Sequence, residues 1–237
     1  FEVAGLKHGR GSDISRALPV QVITPDESDL VFSGPSVRRS FLDWGLFHVE
    51  HGYLELARKY KKILKQRNAW LKAGARALDP WLHELAALAV EINAQRERYL
   101  RRIWDLLSPE LGAFEELDHI GLEYYGGGVG LDANEALENF KSQIPYDRKV
   151  GTTSLGPHRG DIKIVFNGTA AKEYLSRGQA KLVSVLFALS QSKFLLNERS
   201  KKSILLIDDI SAELDEDNLV QCMAKISEMQ VQTFMTS

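Results

Sequence analysis

The chain has 237 residues, of which 44% are hydrophobic, a formal net charge of −2 and a single cysteine, Cys222. This composition indicates a folded protein of one large or two smaller domains, and it excludes an intramolecular disulfide framework, which favours a reducing compartment. With no signal peptide and no apolar run near the ~20 residues that cross a bilayer, a cytoplasmic location away from membranes is expected.

The N-terminal part of the chain predicts two short strands, at residues 1–6 and 18–23. The polar, glycine-rich residues 7–17 between them predict a loop or hairpin tip. Residues 24–27 (Thr-Pro-Asp-Glu) predict a helical turn with a Thr or Asp cap. Because the sequence starts inside one predicted strand and stops just after another, at 231–235, both ends are expected to be cut.

Two apolar series with a helical period follow. The first runs from Tyr53 to Leu71, with Arg67 at a position where the period asks for an apolar residue. The second runs from Leu78 to Leu106 and is interrupted by Arg96. A turn between Gly74 and Pro80 would join the two helices into a hairpin that packs along its apolar seams.

The next segment predicts a strand at 117–125, a flexible glycine-rich turn at 126–130, and a short helix at 134–143 that Pro145 ends. A strand with its turn is predicted at 161–168. The glycine run could cradle a phosphate, but no Lys-Ser/Thr pair follows it, so a loop tip is favoured.

The stretch Ser176-Arg177-Gly178-Gln179 opens a long amphipathic helix. Such a turn offers a hydroxyl, free backbone N–H groups and the positive end of a helix dipole to an anion. The plain alternative is that Ser176 is only a helix N-cap. The apolar face that follows is expected to be core: Leu182, Val183, Leu186, Phe187 and Leu189.

Four apolar residues, 204–207, run directly into Asp208 and Asp209. This pattern predicts a buried parallel strand whose carboxyl end presents acids to a metal-bound phosphate. The alternative, two acids that merely end a strand, is disfavoured because buried carboxylates without a cation would be costly. Asp215 follows in an Ala-Glu-Leu-Asp run and is a candidate for the paired site or for a helix cap.

These three motifs, in this order, resemble the signature motif, Walker B element and D-loop of ATPase heads in the ABC/SMC superfamily. Further elements are similar to the RecF family of recombination mediators and extend over nearly the whole chain: residues 24–27, the Gly-Pro-x-x-Arg-Arg-x-Phe-Leu-Asp run at 34–43, Lys-Gln-Arg-Asn at 65–68, Gly-Pro-His-Arg at 156–159 and Leu-Ser-Arg-Gly-Gln at 175–179. The resemblance implies an α/β fold: an incomplete P-loop ATPase head at 1–45 and 146–237, with an inserted α-helical lid or arm at 46–145.

The resemblance also implies ATP and Mg²⁺ as cofactors. Asp208 would serve the metal, and Asp209 would be catalytic in place of the usual glutamate. The nucleotide-binding set would act on ATP held by the opposite protomer of a homodimer: Ser176, Arg177, Gly178, Gln179 and Asp215. No Gly-x-x-x-x-Gly-Lys-Ser/Thr loop occurs, and in the family it lies upstream. The intact family member is a weak ATPase, whereas this chain alone is expected to be inactive.

As partners the resemblance implies single-stranded, junction or gapped DNA and the mediators RecR and RecO, in gap repair, recombinase loading and SOS induction. Candidate DNA contacts are basic side chains: Arg38, Arg39, Lys59, Lys61, Lys62 and Lys65. Charged helix faces are more often simply solvated. His158 and Arg159 stay open between nucleotide, partner, DNA and structural roles, with a structural role slightly favoured. The residue equivalent to the Q-loop glutamine is unclear, since Gln21 precedes the expected position.

Two other classes of function are weighed. One is the ATPase subunit of an ABC transporter, whose heads lack the Gly-Pro-x-x-Arg-Arg and Gly-Pro-His-Arg elements. The other is a non-enzymatic interaction module.

Overall fold

The computed structural model describes residues 2–3, 6–7, 11–24, 30–74, 77–210, 214–229 and 231–236. Within these ranges the α-helices are α1 (Gly11–Ala17), α2 (Pro35–Val49), α3 (Tyr53–Lys72), α4 (Leu82–Leu111), α5 (Ala133–Val150), α6 (Arg177–Arg199) and α7 (Glu216–Glu228). The strands are β1 (Glu2–Val3), β2 (Leu6–Lys7), β3 (Val20–Ile23), β4 (Ile120–Tyr125), β5 (Asp161–Phe166), β6 (Thr169–Ala170), β7 (Ile204–Ile207) and β8 (Gln232–Met235).

A parallel sheet in the order β3-β7-β8 carries the segment that ends in the acid pair. The predicted strands at 18–23, 204–207 and 231–235 are therefore confirmed. Leu205 and Ile207 of the central strand are buried on the face that α6 covers, where Gln21 of β3 donates to Gln191 of α6 at 2.8 Å. Gln21 is thus a buried structural residue.

The opposite face of this sheet presents an exposed apolar row. Val22, Leu206 and Phe234 are adjacent across the three strands, and Val22 and Phe234 are each 55% exposed. Parallel sheets are normally covered on both faces, because their strands are apolar on both sides. This row is therefore a surface that suits a further packing element.

An antiparallel sheet in the order β4-β5-β6 lies beside the helices. Asn167 and Gly168 form the tight turn between β5 and β6, both with positive φ, as the predicted strand and turn at 161–168 require. Helix α4 packs against α2, α3, α5 and α6 and so forms the centre of the helical part. The mixed α/β class predicted from the sequence is confirmed.

The N-terminal expectations differ from the structure. Residues 11–17 form α1 rather than a loop, with Asp13 in the first turn and Arg16 in the last, where each charge suits the helix dipole. Within the expected strand at 1–6, Glu2–Val3 instead pairs with Leu6–Lys7 as two antiparallel strands. Most of the helical turn expected at 24–27 lies outside the described residues.

Pro145 does not end α5, which runs from Ala133 to Val150, so the expected short helix was wrong. Proline removes one backbone hydrogen bond and its ring crowds the carbonyl four residues earlier, but Pro145 lies on the exposed side of the helix. The buried Asp147 anchors the next turn. The helix ends at Gly151, which adopts the left-handed conformation with φ 71°.

The helical hairpin is confirmed, with small shifts at its borders. Helix α4 begins at Leu82, and Leu78, expected in the seam, is 95% exposed. Strand β4 begins at Ile120, after a 3₁₀ turn at Glu115–Leu117. The domain division at 45/46 and 145/146 stays a prediction, and both of its boundaries fall inside helices, α2 and α5.

Candidate nucleotide and nucleic-acid site

Helix α6 begins with a reciprocal cap at the predicted signature turn. The Gln179 backbone N–H donates to Ser176 Oγ at 3.2 Å, and the Ser176 backbone N–H donates to Gln179 Oε1 at 2.9 Å. Ser176 and Arg177 are exposed. The cap interpretation is thus correct as geometry, yet the Ser176 hydroxyl keeps its own proton to donate, and the first N–H groups of a helix lack intrahelical acceptors. Contact with nucleotide stays a prediction.

The acid pair directly follows β7, at the carboxyl end of the parallel sheet. The Asp208 backbone N–H donates to Ile23 O at 2.8 Å, and the Thr236 hydroxyl donates to Asp208 Oδ1. Asp209 has φ 47°, and its backbone N–H donates to Thr236 Oγ1 at 3.1 Å. Because Asp208 is exposed and Asp209 only partly buried, the burial cost used against the plain interpretation does not apply. Placement at the strand end is confirmed; the metal and catalytic roles stay predictions.

Asp215 caps α7. Its Oδ1 accepts from the Asn218 backbone N–H at 2.8 Å and its Oδ2 from Asn218 Nδ2 at 2.9 Å. Residues 211–213 of the same motif lie outside the described residues. Among the described residues, no three His, Cys, Asp or Glu side chains are grouped to hold a metal ion.

The loop at 156–161 is held from several elements. His158 Nδ1 lies 2.7 Å from Tyr60 Oη, and Nε2 lies 3.2 Å from Thr153 O, so the imidazole links the loop to α3 and to the segment before the loop. Arg96 of α4 donates to Pro157 O at 2.7 Å. The pKa of His158 is lowered to about 4, chiefly by burial, with Arg159 and Arg39 contributing to the decrease. These contacts support the structural role for His158.

Glycines make the close approach inside this loop possible. Gly156 has φ 135°, and a Cβ there would lie 2.2 Å from Tyr60 Oη. Its backbone N–H donates to Gly127 O at 3.0 Å, and a Cβ on Gly127 would lie 2.0 Å from Gly156 O. The glycine-rich run at 126–130 is therefore packed against the loop rather than being a free tip.

Arg38 is bound inside the protein. Its Nε and Nη2 donate to the two Asp161 carboxylate oxygens at 2.7 and 3.0 Å, and its Nη1 donates to Leu30 O and Ser33 O. The side chain is only 12% exposed. This geometry argues against the predicted DNA contact for Arg38, because four of its five donors are already used.

The other candidate DNA contacts differ in exposure. Arg39 is partly buried and donates to Gly160 O at 2.8 Å. The four lysines of α3, Lys59, Lys61, Lys62 and Lys65, are exposed, and Lys59 pairs with Glu84 at 2.7 Å. Their side of the helix is accessible, which both a solvated face and a DNA contact require.

Sequence reasoning missed the ion pairs that hold the buried arginines of the helical part. Arg67 donates to Asp79 and Asp147, with all three side chains fully buried, and Arg96 pairs with Asp43. The signal was present, since Arg67 and Arg96 were noted as charged residues inside apolar series. No helix within the described residues has the length and apolar character needed to span a membrane.

The chain matches curated proteins named DNA replication and repair protein RecF. It is 36% identical over 233 residues to that of Hahella chejuensis, covering 95% of this chain and 62% of the relative. It is 34% identical over 241 residues to that of Pseudomonas aeruginosa, covering all of this chain and 64% of the relative. The chain thus spans less than two thirds of the length of these relatives. No family model matches.

Two solved structures have the same fold. One, described as the recombination mediator protein RecF-ATP in the RecFOR pathway, gives a TM-score of 0.79 at 24% identity, covering 93% of this chain and 62% of that one. The other, described as RecF-ATPrS in the same pathway, gives 0.79 at 26% identity, covering 100% and 66%. The predicted ATPase-head fold is confirmed.

Proposed function

We propose that this chain, which is homologous to the RecF proteins over its own whole length, is part of a RecF-type ATP-dependent protein of DNA replication and repair. The observation that carries the proposal is the order and placement of its motifs. The capped turn at Ser176 begins α6, and the acid pair at Asp208 ends the central parallel strand. The whole-chain similarity to RecF supports the same assignment. Neither alternative class of function is favoured by an observation.

We propose that ATP is shared between two copies of the protein. Helix α6 meets the segment after β3 at Ser184, whose Oγ accepts from the Leu30 backbone N–H at 3.0 Å. Ser176 lies eight residues earlier, about 12 Å further along the helix axis at 1.5 Å per residue. A signature turn exposed at the start of α6 in this way is suited to the nucleotide of a second copy.

The acid pair fits a nucleotide-bound Mg²⁺. Mg²⁺ takes oxygen ligands and usually binds through one or two carboxylates, with the rest from phosphates and water. Asp208 supplies one carboxylate at an exposed strand end, held by the Thr236 hydroxyl. Mg²⁺ with ATP would supply charge neutralisation at the transferred phosphoryl group. Asp209 would orient the attacking water, and its side chain, shorter than glutamate, suits slow hydrolysis.

The exposed row at Val22 and Phe234 is where we place the segment that carries the phosphate-binding loop of the intact protein. An apolar helix face packed there would cover the second side of the parallel sheet. The loop before such a helix would then lie at the carboxyl ends of the strands, next to Asp208.

DNA and the mediators RecR and RecO are the proposed partners, in the cytoplasm. The supporting observations are the RecFOR pathway in the descriptions of the similar structures and the accessible basic face of α3. Single-stranded gaps and junctions are the proposed DNA targets.

The test joins this chain to the upstream segment of its gene and measures mass by analytical ultracentrifugation with ATP and Mg²⁺. The expected result is a dimer that forms only with nucleotide. Ser176→Arg should prevent the dimer while ATP still binds, and Asp209→Asn should keep the dimer but stop hydrolysis. Ser200→Ala, at the other end of α6, is the matched control. A complete protein that stays monomeric with ATP would contradict the proposal.

A further inference from the structure

The loop at 156–161 is surrounded by more guanidinium groups than carboxylates. Arg38 and Arg39 approach it from α2, Arg96 from α4, and Arg159 belongs to the loop itself. Two carboxylates, those of Asp43 and Asp161, lie among them. Within the described residues, these four arginines divide into two that have an acidic partner and two that do not.

Arg38 and Arg96 are the paired arginines. Arg38 forms a bidentate pair with Asp161, and Arg96 donates to Asp43 Oδ1 from Nη2 at 2.7 Å and from Nε at 3.0 Å. These pairs use the two carboxylates, and both arginines also donate to backbone carbonyls. Their charge is balanced within the fold.

Arg39 and Arg159 have no carboxylate partner within the described part of the chain. Arg39 Nη1 donates to Gly160 O at 2.8 Å, and Arg159 Nη2 lies 3.5 Å from Thr153 O, at the limit of a hydrogen bond. A guanidinium carries five donors, so each of these side chains keeps several free for a ligand. Arg159 is exposed and Arg39 partly so, which leaves them accessible.

The electrostatic environment shows that these positive charges act on the same region. Burial, Arg96 and Arg159 lower the pKa of Arg39, with Asp161 and Asp43 opposing them. Arg159 and Arg39 also contribute to the lowered pKa of His158. Like charges held together in this way lose repulsion when an anion binds between them.

We infer that Arg39 and Arg159 form a phosphate-binding site at the loop. Guanidinium groups bind phosphate oxygens with paired, charge-assisted hydrogen bonds, a geometry that lysine does not provide. The loop that positions them is fixed beforehand by Tyr60, Arg96 and Gly127, so little ordering is required on binding. The phosphate comes from a nucleic-acid backbone or from a nucleotide, and this choice of ligand rests on the proposed function.

The first experiment tests the anion chemistry alone. Inorganic phosphate is titrated into the chain at low ionic strength, and the Nε–Hε resonances of arginine side chains are followed by NMR. The expected result is a saturable shift at Arg39 and Arg159 that is lost in the Arg39→Gln/Arg159→Gln variant. Arg101→Gln, which removes an exposed arginine paired with Glu97, should leave both shifts unchanged.

The second experiment separates the two sources of phosphate. Duplex DNA and ATP are each added to the phosphate-loaded chain, and the ligand that displaces phosphate from the two arginines is the physiological source. For DNA, the slope of log affinity against log salt should fall by about two in the double variant, close to one for each lost phosphate contact. A fall of this size would be absent for Arg101→Gln.

The single variants Arg159→Gln and Arg159→Lys are the controls against misfolding. Arg159 is exposed, and its replacement leaves the Arg39 bond to Gly160 intact. Lysine should retain part of the phosphate affinity and glutamine should not. The inference is overturned if phosphate shifts neither arginine, or if the double variant binds phosphate, DNA and ATP as tightly as the parent. Phosphate binding at the arginines in a protein that never dimerises with ATP would sustain the site and overturn the proposed function instead.

Discussion

Arg67 Nη1 lies 2.7 Å from Asp147 Oδ2, and neither side chain is exposed, although 80 residues separate the two in sequence. Arg67 Nε also donates to Asp79 Oδ2 at 2.7 Å, and Nη1 donates to Thr153 Oγ1 at 2.8 Å. One guanidinium therefore joins α3 to α5, to the turn before α4, and to the segment that leads into the Gly-Pro-His-Arg loop.

Replacing this arginine should strongly destabilise the fold. In Arg67→Met two buried carboxylates would lose their cation, and removing one partner of a buried ion pair typically costs about 3–5 kcal/mol. The free energy of unfolding is measured by urea denaturation. The control is Arg101→Met, in an exposed pair with Glu97, with an expected cost below about 1 kcal/mol. A loss in Arg67→Met no larger than in the control would show that the buried pair is not needed for stability.

Stability should fall between pH 6.5 and 4 through His158. Burial lowers its pKa from 6.5 to about 4, so the unfolded chain binds the proton more tightly than the folded one. The contribution is fully present above pH 6.5 and is lost as the pH falls through that window. From pH 7.5 to 5 the loss should be about 1–2 kcal/mol for this residue, allowing for its partial exposure.

The measurement compares urea denaturation of the parent and of His158→Gln at both pH values. Glutamine does not titrate, so the variant should lose less stability on acidification. His48, whose pKa burial also lowers to about 4, stays in both proteins and provides the common background. Equal pH dependence in the two proteins would rule out His158 as a source of the acid sensitivity.

Pro145→Ala should stabilise α5. Alanine restores an N–H that can donate to the carbonyl of Lys141, and Pro145 is exposed, so no packing is lost. Proline also restricts the unfolded chain, which offsets part of the gain. The expected net change is about 1 kcal/mol, measured as a rise in the denaturation midpoint. Pro109→Ala, at the proline inside α4, is the comparison. A lower midpoint for Pro145→Ala would indicate that the restriction proline places on the unfolded chain outweighs the restored hydrogen bond.

Local patterns predicted the secondary structure well where one period dominated. The apolar run at 204–207 and the series from Tyr53 to Leu71 were identified correctly, because one face of the strand is buried and one face of the helix packs. The pattern failed at Pro145, where the long-range anchor at Asp147 continues the helix past a local breaker. It also failed at α1, where glycine and polar residues predicted a loop.

The candidate site was predictable as motifs but not as contacts. The order of the signature turn and the acid pair places Ser176 at a helix start and Asp208 at a strand end, as the structure has them. The partners of Arg38 and Arg96 lie 123 and 53 residues away, so no local pattern distinguishes a buried arginine from a DNA contact. Only the fold shows that Arg38 is paired and that Arg159 has no described acidic partner.

The exposed lysines of α3 should contribute to DNA binding through their charge. Lys61 and Lys65 lie one helical turn apart, Lys62 is beside them, and all three are exposed. Lys59 is already close to Glu84, so it should contribute less. Neutralising Lys61, Lys62 and Lys65 to glutamine should weaken binding to duplex DNA uniformly across sequences and reduce the salt slope by as much as about three, near one per lost contact.

The measurement is fluorescence anisotropy with labelled DNA over a range of salt concentrations. A control with the same change in net charge replaces three other exposed lysines, Lys141, Lys149 and Lys172, by glutamine. If the two triple variants lose affinity equally, only net charge matters and α3 is not a specific contact. If the α3 variant keeps the parent slope of log affinity against log salt, the lysines form a solvated helix face. Any DNA contact must then lie elsewhere, and the arginines of the Gly-Pro-His-Arg loop are the first to test.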